Sequence, residues 1–227
     1  AWLFRAAAPP ELRLRVSQVP ALLLREYTAM LALYLVLQPF ERLLVRHDPP
    51  EAAEEQTPVL LIHGFFCNSG FWWWMQRRLR QRGHTALYTI NLAPIFGGIN
   101  RFARQVAERV AHIQRETGAS KVVLVGHSMG GLVARAYLRD HGPASVAGIV
   151  TLGSPHHGTA HARLLGGHGL QQMRKTYAWL AELNRDETAP SPVPITSVYS
   201  FQDELVAPQD SAHLAHATNV PLANLGH

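Results

Sequence analysis

The chemistry-bearing residues of this chain centre on Gly126-His127-Ser128-Met129-Gly130-Gly131. They fit Gly-x-Ser-x-Gly, with a Val-rich run before them and an amphipathic helical pattern after them. That strand–turn–helix setting is what a nucleophile elbow requires. The tight turn presents the serine hydroxyl, and glycines flank it because side chains there would strike the adjoining strand and helix. A serine hydroxyl becomes a nucleophile when a base takes its proton, a third group orients that base, and donors receive the developing oxyanion.

Each of these partners can be sought by position. His63-Gly64-Phe65 directly follows an apolar run, where a loop approaching the nucleophile begins. The backbone N–H groups of Phe65 and Met129 are therefore assigned as oxyanion donors, and His63 as a residue that structures the loop. The acid and the base are expected on loops after late strands, in the order Ser, acid, His. Asp203, in Ser200-Phe201-Gln202-Asp203, and His227, in Asn224-Leu225-Gly226-His227, meet that order. Asp210 competes for the acid, but it stands where a carboxylate commonly caps a helix, so Asp203 is preferred.

Phe66, Trp72 and His156 are the candidate substrate contacts. Of Trp72, Trp73 and Trp74 at least one is expected to be partly exposed, since three neighbours cannot share one helix face. His156, His157, His161 and His168 could suggest a metal, but no cysteine or Glu-x-x-His pattern accompanies them. No metal and no cofactor is assigned.

The elements that must position these residues follow from periodicity. Short apolar runs alternating with helical patterns from residue 58 onward indicate βαβ units and a mostly parallel sheet. Strands are expected at Val59–Ile62, His84–Asn91, Lys121–Val125, Val146–Leu152, Ile195–Ser200 and Thr218–Leu222. Helices are expected at Phe71–Arg82, Arg101–Thr117 with Asn100 as N-cap, and Met129–Asp140. An insertion at about 154–194 interrupts the alternation, and a helix around Leu170–Leu183 makes it lid-like, a cover over the serine.

Residues 1–57 form a separate unit, a hydrophobic helical segment and a linker at Asp48–Pro58 rich in Pro and Glu. Tyr27 to Phe40 carries no charge, but these 14 residues fall short of the roughly 20 needed to span a bilayer. Arg25 and Glu26 block its extension. The segment is expected to lie on a membrane surface, through residues 19–45, or to pack on the domain.

Composition removes other classes. With 227 residues, 47% of them hydrophobic, the chain suits one compact domain and an appendage. Its single cysteine, Cys67, rules out an internal disulfide framework and leaves the compartment open. The net charge of +5 comes from 21 basic residues, 19 of them Arg, scattered rather than gathered into a stripe, so nucleic acid is not an expected partner. The one dense run, Arg77, Arg78, Arg80 and Arg82, reads as a solvated helix face.

Taken together, Leu61-Ile62-His63-Gly64-Phe65, Val125-Gly126-His127-Ser128-Met129-Gly130-Gly131, Thr151-Leu152-Gly153-Ser154-Pro155-His156-His157-Gly158-Thr159, Asp203 and Gly226-His227 resemble the bacterial lipases and esterases of the α/β-hydrolase fold. The resemblance spans about residues 58–227. It implies a mostly parallel central sheet flanked by helices on both faces, and cofactor-free hydrolysis of ester or lipid substrates. It also implies a bacterial source and a membrane-associated or secreted location. An acyltransferase with the same triad and a non-catalytic membrane-associated binding module remain alternatives. Members of the family usually continue past Gly-His with a short apolar stretch, so the natural chain is expected to run on beyond His227.

Overall fold

The computed structural model describes residues 6–49, 56–163, 166–185, 187 and 189–227. Six strands form one sheet: β1 (Val59–Ile62), β2 (Leu87–Ile90), β3 (Val122–His127), β4 (Val146–Leu152), β5 (Ile195–Ser200) and β6 (Thr218–Leu222). Their order is β2-β1-β3-β4-β5-β6, and every pairing is parallel. The central strands are continuous apolar runs, as burial on both faces demands. Leu60, Leu61 and Ile62 of β1 are all fully buried.

Three longer helices serve as crossovers: α3 (Trp73–Gln81), α4 (Ile99–Thr117) and α5 (Met129–His141). The direction of travel across the sheet reverses after β2, so right-handed crossovers put α3 on one face and α4 and α5 on the other. The main core gathers Phe102, Val106, Val110 and Ile113 of α4 with Leu132, Val133 and Ala136 of α5 and the strand residues beneath them. The reversal of strand order between β1 and β3 opens a crevice at their carboxyl ends, the place where a ligand fits in such a sheet.

Several elements differ from the sequence expectation. β3 runs on to His127 because parallel pairing with β4 continues to the last residue before the serine. Strand β2 is shorter than the expected His84–Asn91, and α3 is preceded by a 3₁₀ turn at Ser69–Trp72 that the Asn68 side chain caps by accepting from Gly70 N–H. Asn100 does not cap α4. The N-cap is Gly98, and the Ile99 amide donates instead to Gln172 Oε1 at 2.6 Å. Asn100 Oδ1 accepts from Trp179 Nε1 at 2.7 Å and from Arg139. The expected helix around Leu170–Leu183 is divided, among the described residues, into α6 (His168–Gln172) and α7 (Ala178–Leu183). They part at Met173, whose carbonyl accepts from the Thr159 amide instead of continuing a helical ladder.

The N-terminal segment carries α1 (Val19–Ala32), a π-helical turn at Leu33–Leu37 and α2 (Glu41–Leu44). Leu22, Glu26, Leu33 and Leu37 recur at helical spacing and are its less exposed positions, so the segment lies along the domain on one stripe. It crosses the carboxyl end of the sheet from the β6 side to the β2 edge. Gln202 Nε2 donates to Leu12 O, Gly226 N–H to Glu26 Oε1, Asn68 Nδ2 to Gln38 O, and the Thr89 amide of β2 to His47 O. Glu41 is buried and accepts from Ser69 Oγ, from Asn91 Nδ2 and, at 2.8 Å, from His47 Nε2. The middle of the expected linker, residues 50–55, lies outside the described residues. At its flanks Arg109 pairs with Asp48, and Gln56 bonds Gly83 and Thr85.

Candidate active site

Ser128 sits between the end of β3 and the start of α5 with φ 52° and ψ −120°. A serine with positive φ is strained by about 1–3 kcal/mol and persists where its surroundings over-determine it. The surroundings here are close backbone approaches that only glycine permits. A Cβ added at Gly126 would lie 2.4 Å from the Gly130 carbonyl carbon, and one at Gly130 would lie 2.2 Å from Ile62 O. The first turn of α5 is thereby pressed against the end of β1.

The loop after β1 then passes beside the serine: a Cβ at Gly64 would meet Ser128 Cβ at 3.0 Å. Neither the Phe65 amide nor the Met129 amide donates to a protein acceptor among the described residues. Both belong to segments touching Ser128, and Met129 opens a helix, whose first amides have no partner within the helix. His63 shapes this loop, bonding Gly64 O through Nδ1 at 2.8 Å and accepting the Leu92 amide at Nε2 at 2.9 Å. That pattern fixes a neutral imidazole, and burial lowers its pKa, opposed in part by the Gly64 carbonyl and Glu41.

Asp203 and His227 meet at the same end of the sheet. His227 Nδ1 donates to Asp203 Oδ2 at 2.8 Å, leaving Nε2 as the free nitrogen. Asp203 is 3% exposed, and its Oδ1 accepts the amides of Leu205 and Val206, both at 2.8 Å. The His227 ring lies 4.7 Å from that of His127, the residue before Ser128. A Cβ at Gly153, where φ is +54°, would come within 3.2 Å of Asp203 Oδ2 and 3.4 Å of His227 Nδ1. Asp210 is exposed, and it is Asp203 that faces the ring.

The three candidate substrate contacts separate. Phe66 is 53% exposed and forms an aromatic group with Phe65 and Phe96. It lines a cavity of about 310 Å³ with Tyr34, Gln38, Cys67 and Ile95, so the N-terminal segment makes one wall. Trp72 and His156 are fully buried, which removes both from any surface a substrate reaches. Among the three tryptophans it is Trp74 that is exposed.

His156 instead belongs to a buried relay. Its Nε2 bonds Thr151 Oγ1 at 2.9 Å, Thr151 donates to Ser197 Oγ, and Ser197 donates to Ala212 O. Arg135 NH1 reaches His156 Nδ1 at 3.4 Å. Burial, then the neighbouring Arg135, holds His156 well below its usual pKa, and burial lowers Arg135 to about 10. His157 pairs with Glu187 at 2.6 Å, so His156 and His157 have separate partners. The group of metal-ligand types that does converge among the described residues is Asp48, His112 and Glu116 on the surface, where Asp48 also pairs with Arg109.

A serine in an elbow, two free amides beside it and a carboxylate-held imidazole can together perform acyl transfer. Residues 57–191 match the family model of the alpha/beta hydrolase fold. The chain belongs to the α/β-hydrolase family. This hydrolase-fold chain is 36% identical over 118 residues to a triacylglycerol lipase of Pseudarthrobacter phenanthrenivorans, covering 48% of the chain and 36% of that protein. A triacylglycerol lipase of Burkholderia plantarii matches at the same identity and length, over 32% of its own chain. The chain thus spans about a third of the length of these curated relatives. Among solved structures, the mature lipase BlEst2 of Bacillus licheniformis superposes with a TM-score of 0.65 at 18% identity, over 78% of this chain and 88% of that one, a likeness of fold.

Glu26, Glu41, Gln172 and Arg135 make long-range polar contacts that have no local signature in the sequence.

Proposed function

We propose that the chain is a serine hydrolase that cleaves carboxylic esters with apolar acyl chains. The observation that carries this reading is the His227 imidazole, tied through Nδ1 to buried Asp203 and packed against the residue preceding Ser128. Ser128 Oγ attacks the ester carbonyl while His227 Nε2 takes its proton, and the amides of Phe65 and Met129 receive the oxyanion. The tetrahedral intermediate collapses to an acyl-serine as the imidazolium protonates the leaving alcohol. Water, deprotonated by the same nitrogen, then releases the carboxylic acid. The curated lipases it resembles support an ester substrate.

The test is hydrolysis of p-nitrophenyl esters of graded chain length by the parent and by S128A. Turnover that rises with acyl length and vanishes in S128A is the expected result. Turnover retained in S128A would remove the reading. Transfer of the acyl group to an added alcohol in preference to water would favour an acyltransferase.

We further propose that the N-terminal segment lies on a membrane surface. Leu23, Leu24, Tyr27, Leu35, Val36 and Leu43 project away from the stripe that touches the domain and are all exposed. Such a helix buries its apolar face in the interface while its other side stays attached to protein. Cosedimentation with phospholipid vesicles is expected, and L24D/L35D should weaken it at least about tenfold, since each buried leucine contributes about 1.5–3 kcal/mol.

A further inference from the structure

The loop that carries His227 follows β6, the edge strand of the sheet, and such a loop has few neighbours of its own. From the β5 side, Gln202 Oε1 accepts the Asn224 amide at 2.7 Å and Ser200 Oγ donates to Leu225 O at 2.6 Å. Besides the His227–Asp203 bond, two further hydrogen bonds come from α1, about two hundred positions earlier in the chain. Glu26 Oε1 accepts the Gly226 amide at 3.0 Å, and Arg25 donates to Asn224 O. Glu26 and Arg25 are themselves paired, at 3.7 Å.

The fit at Gly226 is close. A Cβ added there would have three Glu26 side-chain atoms as its nearest neighbours, the first at 2.5 Å. The Glu26 carboxylate therefore occupies the space beside Gly226, the residue that precedes His227. A charged acceptor on a backbone amide makes a stronger bond than a neutral one, and here it anchors the Leu225–Gly226 peptide.

We propose that Glu26 is a positioning residue for the general base. It holds the Leu225–Gly226 peptide, one residue before the base, so that the His227 ring stays seated on Asp203 and directed toward Ser128, and so makes the outward-facing helix α1 part of the catalytic apparatus. This rests on the serine-hydrolase reading above. A base displaced by about 1 Å costs on the order of a hundredfold in rate, so the expected effect lies in kcat rather than in substrate binding.

The experiment measures kcat and KM on a soluble short-chain p-nitrophenyl ester for the full chain and for E26A, E26Q and G226A, with circular dichroism and melting to establish folding. E26A should lower kcat about tenfold to a hundredfold with KM within about twofold. E26Q, whose amide oxygen still accepts from Gly226, should return kcat to within about threefold of the parent. G226A should reproduce the loss by displacing the carboxylate, and E26A/G226A should be no worse than E26A alone, as expected for two changes at one contact. A folded E26A with parental kcat, or E26Q as impaired as E26A, overturns the proposal. If E26A does not fold, G226A with parental kcat overturns it. S128A separates the two readings, because turnover retained there removes the hydrolase assignment itself.

Discussion

His227 Nδ1 lies 2.8 Å from Asp203 Oδ2, and the two side chains are 11% and 3% exposed. The carboxylate has no freedom to turn, because two backbone amides occupy its other oxygen. An imidazole held this way presents one tautomer, with the lone pair on Nε2.

On the proposed reading, in which Ser128, His227 and Asp203 act as a unit, Ser128→Ala and His227→Ala should each remove nearly all turnover, a loss on the order of a million-fold. Asp203→Asn keeps the shape but favours the wrong tautomer, and should cost roughly ten-thousand-fold. Asp210→Asn, at an exposed position, should leave kcat/KM within about twofold. Steady-state kinetics on the four variants decide it. Activity lost in D210N and kept in D203N would reassign the acid.

Glu41 joins the N-terminal segment to the domain. Replacing it by Ala leaves the Ser69 hydroxyl and the Asn91 amide without their buried acceptor, at a cost of about 1–3 kcal/mol. At about 2–4 °C per kcal/mol for a domain of this size, the melting temperature should fall by several degrees. Removing residues 1–49 should destabilise the protein further, because the Thr89 amide at the β2 edge and the Tyr199–Phe201 cluster lose their cover. Calorimetry on both forms tests this, and an unchanged melting temperature would make the segment a detachable appendage.

His63, His127 and His156 are all buried and held neutral, each with a pKa lowered chiefly by burial from 6.5. Above that value both folded and unfolded states carry neutral rings, so these groups do not alter stability with pH. Below it the unfolded chain takes up protons that the folded chain refuses, and folding weakens by up to about 1.4 kcal/mol per pH unit for each histidine. Urea midpoints should therefore be flat above about pH 7 and fall steeply from about pH 6.5 downward. A midpoint unchanged to about pH 5 would contradict their neutral burial.

The insertion packs part of its length into the core. Leu170 and Met173 of the α6 turn and Leu180 of α7 sit in the same cluster as the α4 and α5 residues. Leu180→Ala should cost about 2–5 kcal/mol of stability, the range for a buried leucine, and leave acyl-length preference unchanged. A shift in preference with little loss of stability, read from denaturation and from graded esters, would restore a gating role.

What the sequence determines by itself is local. The bounds of β1, β4, β5 and β6 and the start of α5 follow from apolar period and from Gly126 and Gly130, because strand propensity and a tight turn depend on residues only a few positions apart. The tertiary structure decides everything that depends on distant segments meeting. Asn100 looks like a cap, yet α6 delivers Gln172 to that helix end. His156 reads as a substrate contact in the sequence, but it is wholly buried, bonded to Thr151 and Arg135. The N-terminal segment reads as an appendage, whereas Glu26 reaches Gly226 across 200 positions. A polar side chain that finds its partner through folding leaves no period or motif, because only the packed sheet brings the two groups within bonding distance.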